Sequence, residues 1–143
     1  MVADLGCLKA FKLDNGDSNH TPRLEPLEEF SQPEAHGRIV EEVTDMSGRF
    51  RRGTTKSNAA GGMSDGERHN MGLEKRKRLV RNLAGRVNRL AKDPAIERCW
   101  MAASREISHP LLEQLDPDVR AKVQTVIAAD LTKLGRSEIL KRF

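Results

Sequence analysis

Residues 73–91 read LEKRKRLVRNLAGRVNRLA. Leu73, Val80, Leu83, Ala84, Val87, Leu90 and Ala91 recur at spacings of three, four and seven, which gathers them on one stripe of a helix. Lys75, Arg76, Lys77, Arg78, Arg81, Arg86, Arg89 and Lys92 take most of the remaining surface. Ser64 with Glu67 makes a capping box, Asn70 offers a later start, and Asp93-Pro94 ends the helix. Immediately beyond, Glu97–Ser104 holds the apolar run Cys99-Trp100-Met101-Ala102-Ala103, the pattern of a buried strand. A long amphipathic helix feeding a buried strand points to an α/β fold.

Working outward supports the same class. Ser108 can cap a short helix with Pro110 in its first turn, carrying Ile107, Leu111, Leu112 and Leu115 inward. Asp116-Pro117 starts another helical turn, Val123–Leu131 is apolar and β-branched enough for a strand, and Gly135 precedes a final helix over Ser137–Phe143. Toward the N-terminus, Val2–Asp4 and Cys7–Leu13 read as a strand pair or one strand kinked at Gly6. Asn15-Gly16 is a hairpin signal, because it accepts positive φ. Leu24, Leu27 and Phe30 suggest a third strand, which Pro22 and Pro26 push to an edge. The order β-β-β, loop, α-β-α-β-α predicts one α/β domain over 1–143, with a mixed sheet flanked by helices.

The apolar residues are unevenly spread. Leu, Ile, Val and Phe number 32 of 143, yet residues 31–72 hold only Ile39, Val40, Val43 and Phe50. That stretch is rich in Gly and Arg and shows no hydrophobic period, so a long, basic, flexible loop over 31–70 is expected. Charge is also arranged in blocks: residues 1–37 carry a net −4, residues 38–92 a net +8, and residues 93–143 balance. A concentrated positive segment attracts polyanions whatever the modest total of +4 suggests. Phe50 is the only aromatic in that segment, so base stacking is not the expected mode. Salt-sensitive contacts from Arg and Lys to phosphates fit better. The glycines of Ala59-Ala60-Gly61-Gly62-Met63 lie ahead of the helix and could let backbone N–H groups approach a phosphate, although no Walker-type Lys closes the loop.

Other chemistries have thinner support. The four histidines and two cysteines never fall at metal-ligand spacing, so neither metal nor cofactor is expected. Cys7 and Cys99 read as small hydrophobes and make no disulfide framework. Asp4 and Asp130 end strands that could share a sheet edge, which leaves a metal-dependent nuclease as one alternative. A module docking an acidic protein through the basic loop is another. No run spans a membrane and no signal peptide opens the chain, so a cytoplasmic protein without membrane contact is expected.

The chain also resembles a known family. Val2-Ala3-Asp4 followed by Cys7–Phe11, Gly48-Arg49-Phe50, Gly66-Glu67-Arg68-His69 and Ala129-Asp130-Leu131-Thr132-Lys133-Leu134 are similar to the bacterial host attachment protein family. That resemblance implies kinship with the middle domain of archaeal and eukaryotic peptide-chain release factors, and a ribonuclease H-like fold. In release factors a Gly-Gly-Gln tip precedes the long helix. Gly61-Gly62-Met63 occupies a similar place here, with Met63 where the Gln would stand. A thioether cannot position a water as an amide does, which argues against a competent peptidyl-tRNA hydrolase, leaves a non-catalytic or weakly catalytic domain, and assigns no catalytic residue. The expectation is therefore an RNA- or ribosome-docking domain. Its contacts would come from Arg49, Arg51, Arg52, Lys56, Gly61, Gly62, Arg68, Lys75, Arg78 and Arg81.

Overall fold

The structure, a computed structural model, describes residues 1–14, 21–35 and 65–143. Five strands form one mixed sheet: β1 (Val2–Ala3), β2 (Cys7–Asp14), β3 (Arg23–Ser31), β4 (Cys99–Ala103) and β5 (Val123–Ala128). Among the described residues four α-helices accompany them: α1 (Asp65–Ala91), α2 (Ser108–Glu113), α3 (Pro117–Lys122) and α4 (Arg136–Leu140). The sheet order is β3-β2-β1-β4-β5. β1, β2 and β3 pair antiparallel, and β1, β4 and β5 pair parallel. The α/β class with a mixed, helix-flanked sheet is as the sequence predicts.

Alternation along the central strands sends side chains to two cores. On one face Ala3, Met101 and Ala103 pack with Leu83, Val87 and Ala91 of α1 and with Ile107, Leu111 and Val119. On the other, Val2 and Ala102 pack with Leu131 and with Ile139 of α4. Each core is thus built on alternate residues of the same two short strands. Val2 and Met101 are buried on these strands together with the small Ala3, Ala102 and Ala103.

Several boundaries differ from the sequence reading. Val80, Leu83, Ala84, Val87 and Ala91 are buried as predicted, but Leu79 joins them at 1% exposure while Leu73 stays 42% exposed. The cause is length. A helix of 27 residues extends about 40 Å, whereas five-residue β4 covers about 17 Å. The first turns of α1 therefore run past β4, and Met71 and Leu73 stay exposed there. Ser108 is the first residue of α2 and not its cap, with its Oγ donating to the Arg105 carbonyl at 3.3 Å. β5 stops at Ala128 because the Ala129 N–H turns back to the Ile127 carbonyl.

Gln32 ties the start of this architecture together. It is 5% exposed, yet each of its polar groups is satisfied. Its backbone N–H donates to the Gly6 carbonyl, its Nε2 donates to the carbonyls of Leu5 and Leu79, and its Oε1 accepts from Asn82 Nδ2. The turn after β1, the end of β3 and the middle of α1 are thereby fixed to one side chain.

Candidate nucleic-acid interface

The carboxyl ends of parallel strands are where an open α/β sheet presents its loops. Asp4 follows β1 and Asp130 follows β5, and the two meet through Thr132, which is 5% exposed. Thr132 Oγ1 lies 2.6 Å from Asp130 Oδ1 and 3.1 Å from Asp4 Oδ2. Asp4 Oδ1 also accepts from the Gly6 N–H at 2.7 Å, and Asp130 Oδ1 from the Thr132 N–H at 2.9 Å. The Thr132 hydroxyl holds the Asp130 carboxyl below the usual carboxylate range. Both carboxylates are thus engaged in closing local turns. Lys9 Nζ binds the Thr132 carbonyl from β2 at 3.1 Å. Among the described residues no group of three His, Cys, Asp or Glu could hold a metal ion. Burial raises the thiol of Cys7 and, more deeply in the core, that of Cys99.

α1 presents the basic surface, and its charges are partitioned. Arg76 pairs with Glu106 at 3.0 Å, Arg78 with Glu34 at 2.6 Å, and Lys92 with Asp116 at 2.6 Å. Arg86 and Arg89 converge on Glu28 of β3, and Arg86 also lies 4.4 Å from the Phe30 ring centroid. Lys77 pairs with Glu74 and pulls its carboxyl down. Arg81 is exposed and makes no ion pair among the described residues. Of the expected contacts, then, Arg78 and Arg81 lie exposed on α1, Arg78 already paired and Arg81 not. Lys75 is half-buried on the same helix, where it has an interaction of its own. Arg68 lies in the first turns of α1. Arg49, Arg51, Arg52, Lys56, Gly61, Gly62 and Met63, with the Asn15-Gly16 turn and the Ser64 cap, lie outside the described residues.

The sequence reading missed the acidic half of this surface. Glu28, Glu34 and Glu106 each neutralise an arginine of α1. For Glu28 and Glu34 the available signal was the −4 block of residues 1–37; Glu106 lies in the charge-balanced segment and carried none. At the opposite end of the sheet lies an apolar cavity of about 410 Å³, lined by Phe11, Leu24, Leu90, Trp100 and Phe143. There the Met1 amino group donates to the Trp100 carbonyl at 2.7 Å, and burial lowers its pKa to about 6.

Residues 1–143 match the family described as protein required for attachment to host cells. The chain belongs to that family. The match covers both the mixed sheet and the basic helix, in line with the resemblance carried by Val2-Ala3-Asp4 and by Ala129–Leu134. No curated protein matches the chain. Among the described residues of this family member, no helix is long and apolar enough to cross a membrane.

Proposed function

We propose that this chain is a non-catalytic or weakly catalytic RNA-binding domain that docks on the ribosome or on structured RNA, built on a ribonuclease H-like fold akin to the release-factor middle domain. The sheet order, antiparallel in its first half and parallel in its second, supports the fold assignment. The carrying observation for function is the overhang of α1. Its first turns stand exposed beyond the sheet, at the junction with a Gly/Arg-rich segment and within the block of net +8. In this reading Arg49, Arg51, Arg52, Lys56 and Arg68 contact phosphates, Gly61 and Gly62 allow close approach, and Lys75, Arg78 and Arg81 extend the track along the helix. The exposed pair of Arg78 with Glu34 contributes at most about 1 kcal/mol, so a phosphate can take the place of the carboxylate.

The test is co-sedimentation with purified ribosomes across a salt series, comparing the wild type with Arg51→Glu/Arg52→Glu. Binding that falls steeply with salt and disappears in the reversal is the expected result. Absence of binding at low salt overturns the reading, and capture of an acidic protein irrespective of RNA replaces it with a protein-docking module.

A further inference from the structure

Residues four apart on a helix form one shallow ridge. On α1 such a ridge carries Lys77, Arg81, Gly85 and Arg89, so a row of cations is broken once, by the residue that has no side chain. Gly85 is exposed, and among the described residues nothing lies within 4 Å of a Cβ built on it. Its φ is not left-handed, so its backbone is one that any residue adopts. Glycine is the least favourable residue in a helix interior after proline. Here it supplies the chain with neither a turn nor room for a neighbour. What it does supply is a notch in the outer surface of α1, floored by the helix backbone.

Charge is concentrated around that notch. Arg81 and Arg89 stand one turn to either side, each about 6 Å away along the axis, and Arg86 follows Gly85 directly. Among the described residues Glu28 is the carboxylate that pairs with these arginines, taking Arg86 at 3.4 Å and Arg89 at 2.9 Å. Three guanidinium groups against one carboxylate leave two positive charges unmatched. Arg81 is exposed and makes no ion pair, and Arg89 meets Glu28 through Nη2, so its Nε and Nη1 take no part in that contact. Elsewhere on α1 the balance is different. Arg76, Lys77 and Arg78 each have a carboxylate of their own in Glu106, Glu74 and Glu34. The positive excess of the described helix and its notch therefore coincide.

We propose that Gly85 is a phosphate seat, where one phosphate of an RNA backbone rests on α1 between the guanidinium groups of Arg81 and Arg89. The seat rests on the RNA-docking reading above and adds the point on the helix where the RNA comes closest. A guanidinium offers paired N–H donors to phosphate oxygens, and Arg89 turning toward the seat leaves Glu28 to Arg86. A Cβ at position 85 occupies the floor of the notch. It holds the phosphate farther from both arginines and nearer bulk water, where their attraction is weaker. A glycine notch also admits close packing of a partner helix, but an apolar helix face laid there would bury the unmatched arginines without an acceptor.

The test is a neutral substitution read through its salt dependence. Fluorescence anisotropy with a labelled RNA hairpin compares wild type, Gly85→Ala, Arg81→Gln and the double variant at several salt concentrations. Gly85→Ala removes no charge, yet it is expected to weaken binding several-fold and to lower the slope of log K against log salt by about 0.7–0.9, the share of one phosphate. Its far-UV circular dichroism is expected to match that of the wild type. Because Arg81→Gln acts on the same contact, its effect is expected to be smaller in the Gly85→Ala background than alone. If the wild type binds the hairpin and Gly85→Ala binds with the same affinity and slope, the seat is overturned and the docking reading stands. Weaker binding with an unchanged slope also overturns the seat, since the notch then receives something other than a phosphate. A wild type that binds no RNA at low salt removes the docking reading and the seat together.

Discussion

Arg89 holds Glu28 through both carboxylate oxygens, each at 2.9 Å, while Arg86 reaches Oε1 of the same carboxylate at 3.4 Å. Glu28 belongs to β3 and both arginines to α1, so the edge strand is fastened to the helix by charge. The contact is partly shielded, with the Glu28 side chain 22% exposed and that of Arg89 60% exposed. Both contacts come from the one nitrogen Nη2, so the pair is a shared donor and not a two-nitrogen fork, and exposure of Arg89 limits it further. Glu28→Gln is expected to cost about 1 kcal/mol, read as a lower urea midpoint with an unchanged m-value. Removal of the carboxylate also leaves Arg86 on Phe30 by its ring contact alone.

This partition explains what was legible in the sequence. Among the described residues period and punctuation located the five strands and four α-helices, because Leu83, Val87 and Ala91 are spaced as a helix stripe and Cys99–Ala103 as a buried strand. The loop expected over 31–70, however, gives way to ordered structure at both ends, a 3₁₀ turn at Pro33–Ala35 beside buried Gln32 and helix from Asp65. The stripe itself was misjudged by one residue at its start. Leu79 sits where α1 first meets the sheet, whereas Leu73 lies on the overhang, and periodicity does not know where a sheet ends. The site was less legible. Helix position told which residues were basic, but pairing of Arg78 with Glu34 spans 44 residues and depends on tertiary placement. Asp4 and Asp130 were foreseen at one edge; the Thr132 hydroxyl that joins them was not, since a single Thr carries no pattern.

Thr132 gives a pH-dependent prediction. Its hydroxyl lowers the Asp130 pKa, so the folded state favours the carboxylate more than the unfolded chain does. A group of this kind stabilises the fold above its ordinary value, about 3.9 for Asp, and that contribution is lost as pH falls through the folded value. Thr132→Val deletes the hydroxyl and is expected to cost about 1–2 kcal/mol at neutral pH. The difference in urea midpoint between wild type and variant should then narrow below about pH 4. A gap that stays constant to pH 2 would show that Asp130 takes no part.

Gly85 offers a change in the opposite direction. It lies exposed in the interior of α1, and a Cβ built there meets nothing within 4 Å. Glycine in such a position costs conformational entropy without supplying a turn or a close approach within the chain. Gly85→Ala is expected to raise stability by about 0.5–1 kcal/mol, a shift of a few degrees in Tm for a chain of this size. Thermal melts followed at 222 nm measure it, and an unchanged or lower Tm would mean that α1 needs the glycine for a reason other than packing.

Arg81 and Glu34 separate attraction by net charge from contact by particular residues. Arg81 is exposed and unpaired among the described residues, so its guanidinium reaches a phosphate without first leaving a carboxylate. Glu34 occupies Arg78 at 2.6 Å and adds a negative charge beside the track. Arg81→Gln and Glu34→Gln shift the net charge by the same amount in opposite directions. If α1 lies on RNA, Arg81→Gln weakens binding several-fold and lowers the slope of log K against log salt by about 0.7–0.9. Glu34→Gln tightens binding, because Arg78 becomes available and the repulsion disappears. Fluorescence anisotropy with a labelled structured RNA at several salt concentrations distinguishes the two. Equal and small effects of both would place the RNA elsewhere on the molecule, since a distant phosphate beyond a Debye length of about 8 Å senses little of either change.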